Sequence, residues 1–63
     1  MKSEILRILP KKGRGMTINE IAEALGITYV KAYVQIDRLE ANGYVYHEGK
    51  AKGGGRLYLN AGY

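Results

Sequence analysis

The residues able to do chemistry are few, and their types restrict what this chain can do. The 63 residues include a single histidine, His47, and no cysteine. A zinc site needs several His, Cys or carboxylate ligands close together, and a catalytic nucleophile needs a base beside it. The sequence has neither arrangement. We therefore expect no metal, no cofactor, no catalytic residue and no enzymatic activity.

A glycine-rich stretch at residues 49–55, GKAKGGG, has some likeness to a phosphate-binding loop. The P-loop of nucleotide-binding enzymes has the order G-x-x-x-x-G-K-S/T, in which the hydroxyl residue holds magnesium. No Ser or Thr follows Lys50 or Lys52, so the stretch does not predict a nucleotide site. No other part of the sequence indicates a small-molecule ligand.

Positive charge is the main chemical feature, and it is unevenly distributed. Ten Lys and Arg residues against six Asp and Glu give a net charge of +4 and a sequence pI near 9.5. Residues 10–16 and 49–59 contain bases and no acid, whereas residues 17–27 contain acids and no base. This distribution favours an anionic partner that meets two separate basic segments.

Residues 17–43 carry dense signals for two helices joined by a tight turn. Thr17 and Glu20 have the spacing of a capping box, and Gly26 stands where the first of these helices must end. Thr28 can cap a second helix, and Gly43 marks its end. The pattern predicts helices over about residues 17–25 and 28–42.

The flanking segments predict one more helix and a hairpin. Apolar residues at the spacing of a buried stripe, followed by Pro10, predict a first helix over about residues 2–10. Strand-like residues on both sides of the glycine-rich loop predict a β-hairpin over about residues 44–59. Met16 is a candidate for a small addition to that sheet. We expect residues 60–63 to be frayed.

Short motifs within these elements resemble the winged helix-turn-helix superfamily. They are LGIT at residues 25–28, RLEANGYV at residues 38–45, and Gly55-Arg56 before the last strand. The sequence is most similar to small bacterial and archaeal regulators of the MarR-like kind. The resemblance implies a single α+β domain over residues 1–63, with three helices and a C-terminal hairpin wing. It also implies binding of double-stranded DNA, transcriptional regulation and a cytoplasmic, nucleoid-associated location.

In a helix-turn-helix, the N-terminal half of the second helix reaches base edges in the major groove. If Ala32, Ile36 and Leu39 form its buried side, a rotation of 100° per residue puts Val30 and Val34 on the opposite side. These valines and the neighbouring tyrosines can contact thymine methyl groups, and the phenolic hydroxyls can bond bases or phosphates.

Phosphate contacts are expected beside this face and on the hairpin. Lys31 and Arg38 suit the DNA backbone, and the helix start at Thr28 can bind a phosphate. Lys50 and Lys52 can lie along phosphates or enter the minor groove, and the arginine at the base of the wing can clamp a phosphate. The predicted DNA-binding residues are Thr28, Tyr29, Val30, Lys31, Tyr33, Val34, Arg38, Lys50, Lys52 and Arg56.

Several of these residues have a second interpretation. Thr28 is also a helix cap, Tyr29 can fold into the core, and the wing lysines can simply keep a loop solvated. An exposed apolar strip such as Val30 and Val34 can mark a protein interface. The alternative function is therefore a winged-helix protein-interaction module that docks through the face carrying Val30 and Val34. RNA, or an unusual duplex form, is a further alternative to ordinary duplex DNA.

The length of the chain also bears on its partners. One copy this small offers little interface for sequence discrimination, so we expect a homodimer or cooperative binding. The sequence has no run of ~18 apolar residues, so no membrane-spanning helix is expected.

Overall fold

Three α-helices followed by a two-stranded antiparallel sheet make up the computed structural model, which describes residues 2–63. The predicted α+β order of three helices and a hairpin is confirmed. None of the helices within residues 2–63 has the length and apolar character needed to cross a membrane. The elements are α1 (Lys2–Ile8), α2 (Ile18–Leu25), α3 (Tyr29–Ala41), β1 (Val45–Lys50) and β2 (Arg56–Asn60).

Caps fix both ends of α2 and the start of α3. The Thr17 hydroxyl accepts a hydrogen bond from the Glu20 backbone N–H at 3.1 Å, and the Glu20 carboxylate accepts one from the Thr17 N–H at 2.9 Å. Gly26 ends α2 with a left-handed φ of 67°, which glycine adopts without strain. The Thr28 hydroxyl accepts from the Lys31 N–H at 3.1 Å. Thr17 and Thr28 are therefore N-caps, and each helix begins one residue after them.

The first helix is shorter than the sequence pattern predicts. α1 ends at Ile8, before Leu9 and Pro10, which lie within the predicted helix. The reason lies in the proline, since its ring disfavours the helical region for the residue before it. Leu9 still reaches the core, because its backbone N–H donates to the Ile5 carbonyl at 3.1 Å and its side chain is buried.

The core joins all five elements. Each helix contributes an isoleucine that is almost completely inaccessible: Ile5, Ile21 and Ile36. Val45 from β1 and Tyr58 from β2 lie in the same cluster. Burying one such large apolar side chain contributes about 1.5–3 kcal/mol, so removing any one isoleucine would strongly destabilise so small a protein.

β2 is hydrogen-bonded along both of its edges. One edge pairs with β1 to form the hairpin. On the other edge, the Met16 N–H donates to the Tyr58 carbonyl at 2.9 Å, and the Tyr58 N–H donates to the Met16 carbonyl at 2.8 Å. The Asn60 N–H donates to the Pro10 carbonyl at 2.8 Å. The connector between α1 and α2 thus adds a bridge to the sheet at Met16, as predicted, and anchors the hairpin to the helices.

The C-terminal residues are held in place, so the prediction of a frayed tail is wrong. Asn60 is only 2% exposed, and its side-chain amide donates to the Leu6 carbonyl at 2.9 Å. Its side-chain oxygen accepts from the backbone N–H groups of Gly62, at 2.9 Å, and Tyr63, at 2.6 Å. The Tyr63 ring then packs edge-on against Tyr44, with ring centroids 4.9 Å apart. The buried Asn60 side chain thus connects residues 62 and 63 to α1 through hydrogen bonds.

The close approach of the connector to β2 gives a stability prediction at Gly15. A Cβ at this position would overlap the Tyr58 carbonyl oxygen and lie 2.9 Å from the Leu57 carbonyl carbon. Gly15→Ala must push the connector away from β2. We therefore expect it to lower the free energy of unfolding, measured by urea denaturation, by about 1–3 kcal/mol.

Gly53→Ala is the matched control for this substitution. A Cβ at Gly53 meets nothing within 4 Å, and Gly53 is not among the glycines with positive φ. The same chemical change there should be neutral, or stabilising by about 0.4–1 kcal/mol. Equal stabilities of the two variants would contradict the close packing of the connector on β2.

Candidate nucleic-acid interface

The ten residues predicted to contact DNA are all exposed, seven of them on α3 or its N-cap and three on the hairpin. Tyr29 and Tyr33 are each 49% exposed, so neither folds into the core. The ten residues are therefore accessible on the surface, which is the condition that the predicted interface requires. Their contacts with DNA remain a prediction.

The outer face of α3 carries an apolar strip, which we call the valine strip (Val30 and Val34). Val30 is 69% exposed and Val34 is 40% exposed, whereas Ala32 and Ile36 are buried on the opposite side of the helix. The rings of Tyr29 and Tyr33 flank the strip and meet edge to face, with centroids 6.4 Å apart. The N-terminal half of the exposed face is thus aromatic and aliphatic, and the exposed carboxylate of Asp37 lies on the same side one turn further along the helix.

Cations and a hydroxyl surround this face. Lys31 and Arg38 are exposed on the flank of α3 away from the tyrosines, at the rotation expected for a regular helix. Neither forms an ion pair with a carboxylate among residues 2–63. Thr28 caps α3 through its oxygen, so its hydroxyl proton stays available to a phosphate. The cap interpretation of Thr28 is confirmed, and it is compatible with a second role.

The hairpin carries the remaining predicted cations, which we call the wing cations (Lys50, Lys52 and Arg56). Lys50 and Arg56 are paired across the two strands, and Lys52 lies in the turn between them. Like charges directly opposite one another in a sheet destabilise it. No carboxylate among residues 2–63 pairs with any of the three. An external anion would relieve the repulsion at the end of the hairpin.

The end of the hairpin is more regular than the flexible loop expected over residues 49–55. β1 continues to Lys50 through an irregularity between His47 and Lys50, where Gly49 has a φ of 77°. The turn is closed by two hydrogen bonds, from Gly54 N–H to the Ala51 carbonyl at 2.8 Å and from Ala51 N–H to the Gly55 carbonyl at 2.6 Å. Lys50 is therefore held on a strand and does not sit in a loose loop.

An open groove of about 320 Å³ joins α3 to the base of the wing. Tyr29 and Tyr33 line it from α3, Arg56 lines it from β2, and Asn19 lines it from the first turn of α2. The fold thus brings the aromatic face and one wing cation to the same depression. Sequence reasoning did not assign Asn19 to the site. No local pattern in the sequence points to Asn19, because the wing residues across the groove are remote from it in sequence.

A contact between β1 and α3 sets the position of the wing. His47 Nδ1 lies 2.5 Å from Glu40 Oε2, and both side chains are partly exposed. The His47 ring also meets the Tyr58 ring edge to face, with centroids 5.8 Å apart. His47 is thus partly exposed on the hairpin, and it links the hairpin to α3 through Glu40.

The acidic start of α2, beside the groove, is partly neutralised within the fold. Arg14 Nη1 lies 3.2 Å from Glu20 Oε1. The hydrogen bond from the Thr17 backbone N–H, and then the Arg14 side chain, lower the pKa of Glu20 below its ordinary value. Arg14 is therefore engaged with Glu20 and is less available to a ligand than the wing cations are.

Residues 2–63 contain no group of three or more His, Cys, Asp or Glu side chains that could hold a metal ion. The exposed helix face, the wing and the groove between them are the features that define a class of protein, namely a winged helix with a basic hairpin.

Comparison with known families agrees with this class. The sequence profile of a family described as winged helix-turn-helix DNA-binding matches residues 2–46. The match covers more than half of the chain, so the chain belongs to the winged helix-turn-helix DNA-binding family. The resemblance drawn from the sequence motifs is confirmed. Comparisons with curated proteins and with solved structures gave no significant match.

The lowered pKa of Glu20 predicts a pH-dependent contribution to stability. A carboxylate whose pKa is lower in the folded state stabilises the fold above its ordinary pKa, and this contribution is lost as the pH falls through the lowered value. Glu20→Gln keeps a capping side chain but removes the charge. We expect the urea midpoint of Glu20→Gln to be below that of the parent at neutral pH, with the gap closing at acidic pH.

Glu23→Gln is the control for this measurement. Glu23 lies exposed on the same helix and has no side-chain hydrogen bond or ion pair within residues 2–63. Its substitution should leave the midpoint nearly unchanged at every pH. A gap for Glu20→Gln that stays constant down to strongly acidic pH would contradict the charged capping interaction.

Proposed function

We propose that this protein is a transcriptional regulator that places α3 in the major groove of double-stranded DNA. In this proposal, the wing lies on the adjacent backbone or minor groove. Family membership supports DNA as the partner. The groove that joins Tyr29 and Tyr33 to Arg56 is the observation that carries the geometry, because it puts helix face and wing on one side of the molecule.

The charge distribution supports the same docking. The major groove is about 12 Å wide and admits one helix between two phosphate backbones. Lys31 and Arg38 lie on one flank of the valine strip, and one wing cation, Arg56, lies across the groove from the tyrosines on the other flank. If α3 enters the groove with its apolar strip foremost, the positive charges on its two flanks would thus face the two phosphate backbones. Transcriptional control of this kind would place the protein in the cytoplasm, on the nucleoid.

The size of the molecule supports two copies per DNA site. Its principal extents are 26 × 25 × 18 Å. Adjacent major-groove half-sites on one face of DNA are ~34 Å apart, so a single copy reads only one of them. We therefore propose that the protein binds as a homodimer, or as two cooperating copies, with the second copy on the next half-site.

One observation favours a different function. Val30 is the most exposed of the large apolar side chains within residues 2–63, and exposed apolar residues in a cluster often mark protein interfaces. Under this alternative, the domain is an interaction module that docks on a protein through the valine strip. The unpaired cations on both flanks favour the DNA proposal over this one.

The DNA proposal predicts how the salt dependence changes when the wing cations are removed. Five phosphate contacts, from Lys31, Arg38 and the wing cations, give a slope of log K against log salt of about −4.5. Replacing Lys50, Lys52 and Arg56 with Ala should make the slope shallower by about 2.7 and weaken binding to duplexes of different sequence alike. Fluorescence anisotropy with a labelled duplex across a salt series measures both quantities.

The matched control removes the same charge from another surface. Arg7, Lys11 and Lys12 are exposed cations on α1 and its connector, and the Ala triple variant has the same net charge as the wing variant. Its slope should stay close to that of the parent. Equal decreases in affinity and in salt dependence for the two triple-alanine variants would show that net charge, rather than the wing, governs binding.

Two further outcomes separate the alternatives. If the parent does not bind duplex DNA, and Val30→Ser with Val34→Ser abolishes self-association or capture of a protein partner, the interaction module replaces the DNA proposal. If an RNA duplex of the same sequence competes as well as the DNA duplex does, the partner is not specifically DNA.

A further inference from the structure

The exposed face of α3 lacks the side chains that read guanine and adenine, and its carboxylate, Asp37, can accept only from the N4 amine of cytosine. Guanine is read by bidentate contacts from Arg or Lys, and adenine by bidentate contacts from Asn or Gln. The exposed positions 29, 30, 33 and 34 hold two tyrosines and two valines. The nearest α3 cations, Lys31 and Arg38, lie on the flank, where the phosphates of a docked duplex would be.

What this face offers is apolar surface at the position where base edges would lie. Of the groups exposed in the major groove, the C5-methyl of thymine is the one that apolar side chains recognise. Val30 and Val34 are four residues apart, so their side chains lie one above the other along the helix. Two branched, exposed side chains in line can pack against methyl groups on successive steps of the groove.

We propose that Val30 and Val34 recognise A·T-rich duplex DNA through the C5-methyl groups of thymine. This inference rests on the proposed function and names the sequence class that the same face reads. Cations flank the valine strip on both sides. The strip therefore suits a partner that has an apolar surface between two rows of negative charge. The thymine-rich major groove of DNA has this arrangement.

The same chemistry separates DNA from RNA. RNA carries uracil, which has no C5-methyl, and the deep, narrow major groove of an RNA duplex does not admit side chains. A face that reads methyl groups would therefore select DNA through the base itself as well as through groove width. Cytosine methylated at C5 presents its methyl group on the same edge of the base as thymine does.

The experiment changes only the methyl group. The probes are a non-repetitive A·T duplex of about two helical turns and its counterpart with every thymidine replaced by deoxyuridine. The substitution leaves the phosphates and the minor-groove edges unchanged. The parent protein should bind the deoxyuridine duplex about fourfold more weakly for each methyl group that the valines bury, and about fifteenfold more weakly for two.

The protein variant tests whether the valines cause the difference. Val30→Ser with Val34→Ser removes both methyl groups of each side chain and leaves a single hydroxyl in their place. This variant should bind the two duplexes with nearly equal affinity. Ala24→Ser, an exposed change on α2, should keep the preference of the parent. In a G·C duplex, 5-methylcytosine in place of cytosine should raise the affinity of the parent and not that of the serine variant.

The outcomes distinguish this inference from the proposed function. Salt-sensitive binding of the parent that is equal for thymine and deoxyuridine duplexes would overturn methyl recognition and leave the DNA-binding proposal standing. A preference that persists unchanged in the serine variant would assign the preference to DNA shape and would also overturn the inference. Absence of binding to either duplex would overturn the proposed function itself.

Discussion

The pairing of β2 on both edges is the constraint on which the rest of the structure depends. Met16 and Pro10 hold one edge of this strand to the helical body, and β1 occupies the other edge. A two-stranded hairpin alone is marginally stable in water. Here the hairpin becomes an extension of the helical body, so its cations have a fixed position relative to α3. The contact of His47 with Glu40 adds a second tie between them.

The helix pair could be predicted in detail because its signals are local. Thr17, Glu20 and Gly26 act through hydrogen bonds and backbone angles within a few residues of themselves, and each does so as the sequence pattern indicates. The face of α3 followed from the burial of Ala32 and Ile36 at helical spacing, which leaves the valine strip outside. Such short-range rules need no knowledge of distant parts of the chain.

The features that the sequence did not reveal depend on distant contacts. Asn60 looked like part of a loose tail, and only its hydrogen bond to the Leu6 carbonyl, across nearly the whole chain, explains its burial. On β2, Leu57 and Leu59 are buried, yet the residue that joins the central cluster is Tyr58, which lies between them. The groove residue Asn19 was missed for the same reason, since the wing that faces it is remote in sequence.

The functional account combines an apolar reading surface with cations on its flanks, and both parts must face the same duplex. The most direct test is a map of backbone amide shifts in the NMR spectrum of the protein as duplex DNA is added. The account predicts that the largest shifts fall between Thr28 and Arg38 and between Lys50 and Arg56, with little change on α1. The largest shifts on α1, or none on α3 while the duplex is bound, would contradict it.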